Sequence, residues 1–121
     1  MVGGEIPEGV EVVFWMIPEP PQTPEGAIVV HYPIDDNDQG LDEDVFLRLY
    51  HLVDSLSDLR ILTVCHAGEN RSGLVSTMTL IAREIPVEEA IRTVQANGNA
   101  NYGDHSFWNP GFVAQVRRLL A

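Results

Sequence analysis

One cysteine, seven basic residues against eighteen acidic ones, and no long apolar run set the first limits on this chain. A single cysteine forms no internal disulfide, and a reactive thiolate survives best in a reducing compartment. With so few basic residues and a net charge of −11, a nucleic-acid surface is excluded, since that requires a basic patch. No stretch approaches the ~18–20 apolar residues of a membrane span. The N-terminus carries no basic segment followed by an apolar run, the pattern of a secretory signal. The expected location is therefore cytoplasmic, with neither membrane nor nucleic acid as partner. The same negative charge repels polyanionic substrates at long range, an effect that salt weakens.

What is present is ordinary for a globular protein: 121 residues, 45% hydrophobic and 21% charged. That length suits a single domain over residues 1–121 with one core. Val10 to Ile17 and Ala27 to Tyr32 are apolar runs that read as strands. Between them Pro18, Pro20, Pro21 and Pro24 forbid helix or central strand. A polar loop follows from Asp35 to Gly40. Asp42 reads as an N-cap, and Val45, Phe46, Leu49, Leu52, Val53 and Leu56 fall on one helical face behind it.

Arg60 to Val64 is a third strand, and Ser72 to Glu84 has helical spacing. Pro86 opens another helix, with Ala90, Ile91 and Val94 inward. Gln95 to His105, poor in apolar residues and rich in asparagine, reads as a loop. Asn109-Pro110 opens the last helix, with Phe112, Val113, Val116, Leu119 and Leu120 inward. Near-continuous apolar strands interleaved with helices indicate an α/β fold, a central and mostly parallel sheet flanked by helices and covered on both faces.

The segment Cys65-His66-Ala67-Gly68-Glu69-Asn70-Arg71-Ser72 lies between the third strand and its helix. Strand, tight glycine-containing loop and helix N-terminus make an anion cradle, in which backbone N–H groups converge on one point. A thiol placed there is pulled below the ordinary thiol pKa and becomes a nucleophile. Arg71 offers a planar fork for two phosphate oxygens. The residues point to nucleophilic attack on a phosphate ester. Such a reaction needs a proton donor for the leaving oxygen, from outside the cradle. Asp35 and Asp36 follow a strand, at the ligand-binding edge of a parallel sheet, and neighbouring carboxylates raise each other's pKa.

Three segments resemble the dual-specificity branch of the cysteine-based protein tyrosine phosphatases, in a compact bacterial or phage-like form. Cys65 through Ser72 matches that family's Cys-x5-Arg-Ser/Thr signature. Tyr32-Pro33-Ile34-Asp35-Asp36-Asn37 resembles its general-acid loop, and Asn109-Pro110-Gly111-Phe112 the opening of its last helix. The resemblance implies a phosphoprotein phosphatase working through a phosphocysteine on Cys65. It implies that the backbone from His66, Ala67, Gly68, Glu69 and Asn70 to Arg71, with the Arg71 side chain, holds phosphate. Asp36, with Asp35 as rival, would be the acid, and the Ser72 hydroxyl would ease departure of the sulfur. No cofactor or metal is implied. The expected partners are phosphorylated proteins or peptides, and phosphate-, sulfate- or vanadate-like anions.

Two departures from the family stand out. Val64 occupies the position that usually holds histidine, so a less acidic thiol is expected. Glu69 puts negative charge into the loop and is expected to point outward. The competing expectation, from a different class, is a weak or inactive phosphatase fold that only binds phosphorylated partners.

Overall fold

The computed structural model describes residues 9–19, 26–35, 37, 39–64, 70–102 and 109–121; of residues 64 and 97–102 only the backbone is described. In chain order the elements are β1 (Val12–Trp15), β2 (Ile28–His31), α1 (Glu43–Leu56), β3 (Ile61–Val64), α2 (Asn70–Ala82), α3 (Val87–Tyr102) and α4 (Pro110–Leu119). The strands form one parallel sheet in the order β2-β1-β3.

β1 takes the centre because its run is apolar on both faces, as a strand buried on both sides requires. Val12 to Ile17 are all buried. Registers pair Phe14 with Val30 and Thr63, and Val13 with Val29 and Leu62. One face of β1 (Val12, Phe14, Met16) packs against Phe46, Leu49 and Val53 of α1, Leu74, Val75 and Met78 of α2, Ile91 and Val94 of α3, and Phe112 and Val116 of α4. The other face (Val13, Trp15, Ile17) is equally buried, with Val10, Val29 and Leu62 around it. Among the described residues, all four helices therefore serve the first face.

Helix boundaries follow local chemistry. Asp42 caps α1 by accepting from Asp44 N at 3.0 Å, with Glu43 and Asp44 placed favourably against the helix dipole. At the far end of α2, Arg83 donates from Nε to Ser57 O (2.7 Å) and from Nη2 to Leu59 O (3.0 Å). This ties α2 to the turn between α1 and β3. α2 starts at Asn70, two residues before the start that its apolar spacing predicts.

One sequence expectation fails. Residues 95–102, read as loop, continue α3 to Tyr102. Once a helix is nucleated each added residue gains a hydrogen bond. An asparagine or glycine costs only about 0.5–1 kcal/mol against that, so a poor composition does not by itself end a helix.

α2 ends in a left-handed residue that is not glycine: Glu84 has φ 69°. Ile85 N donates to Leu80 O and Glu84 N to Ile81 O, the paired bonds of a Schellman cap. Glu84→Gly removes the Cβ strain and is expected to raise stability by about 0.5–1 kcal/mol net of chain entropy, read by denaturant melts.

Glu88 and Arg117 link α3 to α4 at 2.9 Å on an exposed surface. The Arg117 hydrogen bond is the main cause holding the Glu88 carboxyl below its ordinary value of 4.5. A depressed carboxylate pKa stabilises above the unfolded value and loses that effect as pH falls through the folded one. Glu88→Gln should therefore lower Tm slightly at neutral pH. The difference should vanish below the folded pKa, and in molar salt.

Candidate active site

Because all three strands run the same way, their carboxyl ends share one edge. The order β2-β1-β3 places the segments that follow β2 and β3 on either side of β1. A crevice of this kind is where open α/β sheets bind ligands. The segment after β2 carries Asp35 and Asp36, and the segment after β3 carries Cys65. Cys65, His66, Ala67, Gly68, Glu69 and Asp36 themselves lie outside the described residues. Asn70, Arg71 and Ser72 are described, and all three stand half-buried in the first turn of α2. Asp35 is exposed.

Arg71 reaches across the crevice. Its Nη1 donates to the Ile34 carbonyl at 3.2 Å, and Ile34 is itself anchored in the main core. Its Nε is buried and has no partner among the described residues. A buried donor left unmade costs about 1–3 kcal/mol, and more when it is charged. The position is therefore one at which an anionic oxygen would recover lost energy. The α2 N-terminus adds its own partial positive charge there.

Asn109 joins both sides of the crevice to α4. It is 5% exposed. Its Oδ1 accepts from Gly111 N (2.9 Å) and Phe112 N (3.1 Å), capping the helix. Its Nδ2 donates to Asn37 O at 2.7 Å, in the segment that follows β2. Its backbone N–H donates to Asn70 Oδ1 at 3.0 Å, at the start of α2.

Gln115, also 5% exposed, makes a third connection. Leu41 N donates to its Oε1 at 2.9 Å, and its Nε2 donates to Leu41 O at 2.5 Å.

The sequence reading named Asn70 for its backbone and Asn109 as a helix opener. It missed both as side-chain or bridging partners, and it missed Gln115 altogether. The signal for Gln115 was available: it lies three residues after Phe112 and one before Val116, inside the apolar stripe of α4, where a polar residue requires a buried partner.

The two jobs of Asn109 are separable. Asn109→Ala loses the cap and the donor to Asn37 O, which keeps only its longer bond from Gly40 N, with an expected cost of about 1–3 kcal/mol. Asn109→Asp keeps the capping oxygen but loses the donor to Asn37. In thermal melts it should recover the capping part of the loss and none of the bridge.

No family model and no curated protein matches this chain. Solved structures do. Human DUSP28 aligns with a TM-score of 0.69 at 18% identity, over 91% of this chain and 76% of its own. The Orf virus protein OH1, described as a tyrosine phosphatase with distinct structural features and triple substrate specificity, aligns with a TM-score of 0.67 at 15% identity. That match covers 92% of this chain and 70% of the viral one. Sequence identity at this level speaks to architecture. The three-stranded parallel sheet with its four helices has the fold of a dual-specificity phosphatase.

Proposed function

We propose that this protein is a phosphoprotein phosphatase of the tyrosine or dual-specificity kind, hydrolysing phosphate monoesters through a phosphocysteine. The observation that carries this reading is the buried Nε of Arg71, without a partner among the described residues, in the first turn of α2 and six positions after the chain's one cysteine. A guanidinium held at a helix N-terminus with a donor unspent is set to receive a phosphate oxygen. The fold it shares with known phosphatases supports the same reading.

The proposed roles follow. Cys65 as thiolate attacks phosphorus, forming the S–P bond as the P–O bond to the leaving group breaks. The backbone from His66 through Arg71 and the Arg71 side chain hold the three equatorial oxygens, where charge spreads in the transition state. Asp36, or Asp35, gives its proton to the departing oxygen. The same carboxylate then takes a proton from water, which attacks phosphorus and releases inorganic phosphate. The Ser72 hydroxyl donates to the sulfur as the S–P bond breaks. A cytoplasmic setting, with phosphorylated proteins or peptides as substrates, belongs to the same proposal.

The test is hydrolysis of para-nitrophenyl phosphate between about pH 4.5 and 8, where the basic limb reports the acid. Wild type should turn over and Cys65→Ser should fall to background. The true acid's asparagine variant should lose the basic limb and about 10²-fold in rate. Asp36→Asn is expected to behave this way, and Asp35→Asn decides between the two carboxylates. A wild type inactive at every pH that still binds a phosphopeptide would replace the enzyme with a phosphate-reading module. Val64, standing where the family has histidine, is the feature that favours that second reading.

A further inference from the structure

The segment from residue 34 to residue 41 carries the acid of the proposed reaction, and its backbone is held from outside at three points. Arg71 takes Ile34 O, Asn109 takes Asn37 O, and Gln115 takes both the N–H and the C=O of Leu41. Between the last two points the chain closes on itself. Asn37 Oδ1 accepts from Gln39 N at 2.9 Å, and Asn37 O accepts from Gly40 N at 3.2 Å.

Gly40 has φ 81° and is buried against α4. A Cβ there would stand 2.7 Å from Gln115 Cδ and 3.2 Å from Gly111 O. The turn and the helix are thus in direct contact, and only glycine serves at that point.

Gln115 treats Leu41 as a neighbouring strand would, with one bond each way. It is buried, so losing either bond leaves a desolvated group unmade. α4 is a firm base for this, since Phe112 and Val116 are fully buried in the main core. The same helix, through Asn109, also touches the first residue of α2. One element therefore sets the position of both the acid-bearing segment and the helix that carries Arg71.

We propose that Gln115 is a positioning residue for catalysis, acting with Asn109 and Gly40. It fixes the acid-bearing segment against α4, so that the acid stands at a constant distance from the leaving oxygen. The proposal rests on the reading of this site as a phosphatase with its acid in that segment. A misplacement of about 1 Å costs on the order of 10²-fold when a catalytic group must meet one atom. Only substrates that need the proton should register that loss.

The experiment compares kcat/KM on phenyl phosphate, whose leaving group needs protonation, with that on dinitrophenyl phosphate, whose leaving group departs without it. Gln115→Met keeps the side chain's length and removes both bonds to Leu41. Gly40→Ala displaces the same contact from the loop side. Each should lower kcat/KM on phenyl phosphate by about 10- to 100-fold and stay within about threefold of wild type on the dinitrophenyl ester.

Val116→Ala, in the same helix, controls for loss of stability: it should lower Tm and leave the ratio of the two esters at the wild-type value. A wild-type ratio in Gln115→Met, or in Gly40→Ala should Gln115→Met not fold, overturns the proposal while the phosphatase reading stands. So does a Val116→Ala variant whose ratio moves as far as theirs. A wild type that hydrolyses neither ester removes the phosphatase reading and this proposal together.

Discussion

The crevice depends on how one short stretch of backbone finds its hydrogen bonds. Residues 34–41 leave the end of β2 and turn back toward α1 against the protein, where carbonyls and N–H groups need partners. Ile34 N still reaches Met16 O at 3.4 Å, just past the end of β1, and beyond it no strand pairing is found among the described residues. Three further partners are side chains from elsewhere in the sequence: Arg71 at Ile34, Asn109 at Asn37 and Gln115 at Leu41. Two of these are amides, able to donate and accept at once, which suits a backbone that presents both kinds of group. The third is Arg71, the arginine of the segment proposed to hold phosphate. The polar satisfaction of a loop and the assembly of a site are here one event.

Arg71 shows how the two are linked energetically. A guanidinium has five N–H donors. One binds the Ile34 carbonyl, which orients the plane, while Nε remains buried and unpaired among the described residues. Orientation of the guanidinium is thus settled by a neutral backbone carbonyl. The acidic character of the rest of the molecule does not conflict with this. In the proposed reading the attraction for phosphate is local, built from backbone dipoles and one cation, whereas the net charge of −11 acts at range and is screened.

The core explains why so small a sheet holds the crevice steady. β1 is buried on both faces, and residues of all four helices meet Val12, Phe14 and Met16 on one of them. The helices that bring Arg71 and Asn109 to the edge are thereby anchored to the same strand. α4 carries Phe112 and Val116 into this cluster and Gln115 beside it, so apolar burial places a polar clamp. Arg83, holding the turn between α1 and β3, does the same at the opposite end of α2.

Much of this was legible in the chain. Apolar runs at Val10 to Ile17 and Ala27 to Tyr32, Asp42 as a cap, proline after Asn109 and the Cys65-to-Ser72 spacing each act locally or periodically. Short-range sterics and burial decide such features, so the sequence by itself determined the α/β class and the element order. Residues 95–102 misled because helix continuation depends on the turn before them, not on their own composition. What only the tertiary structure decided is which distant groups meet: the strand order with β1 central, Arg71 on Ile34 O, Asn109 on Asn37 and Asn70, Gln115 on Leu41. For a hydrogen bond between residues more than seventy positions apart, local pattern can flag one end, as the apolar stripe of α4 flags Gln115, but it does not name the partner, which is brought there by the packing of everything in between.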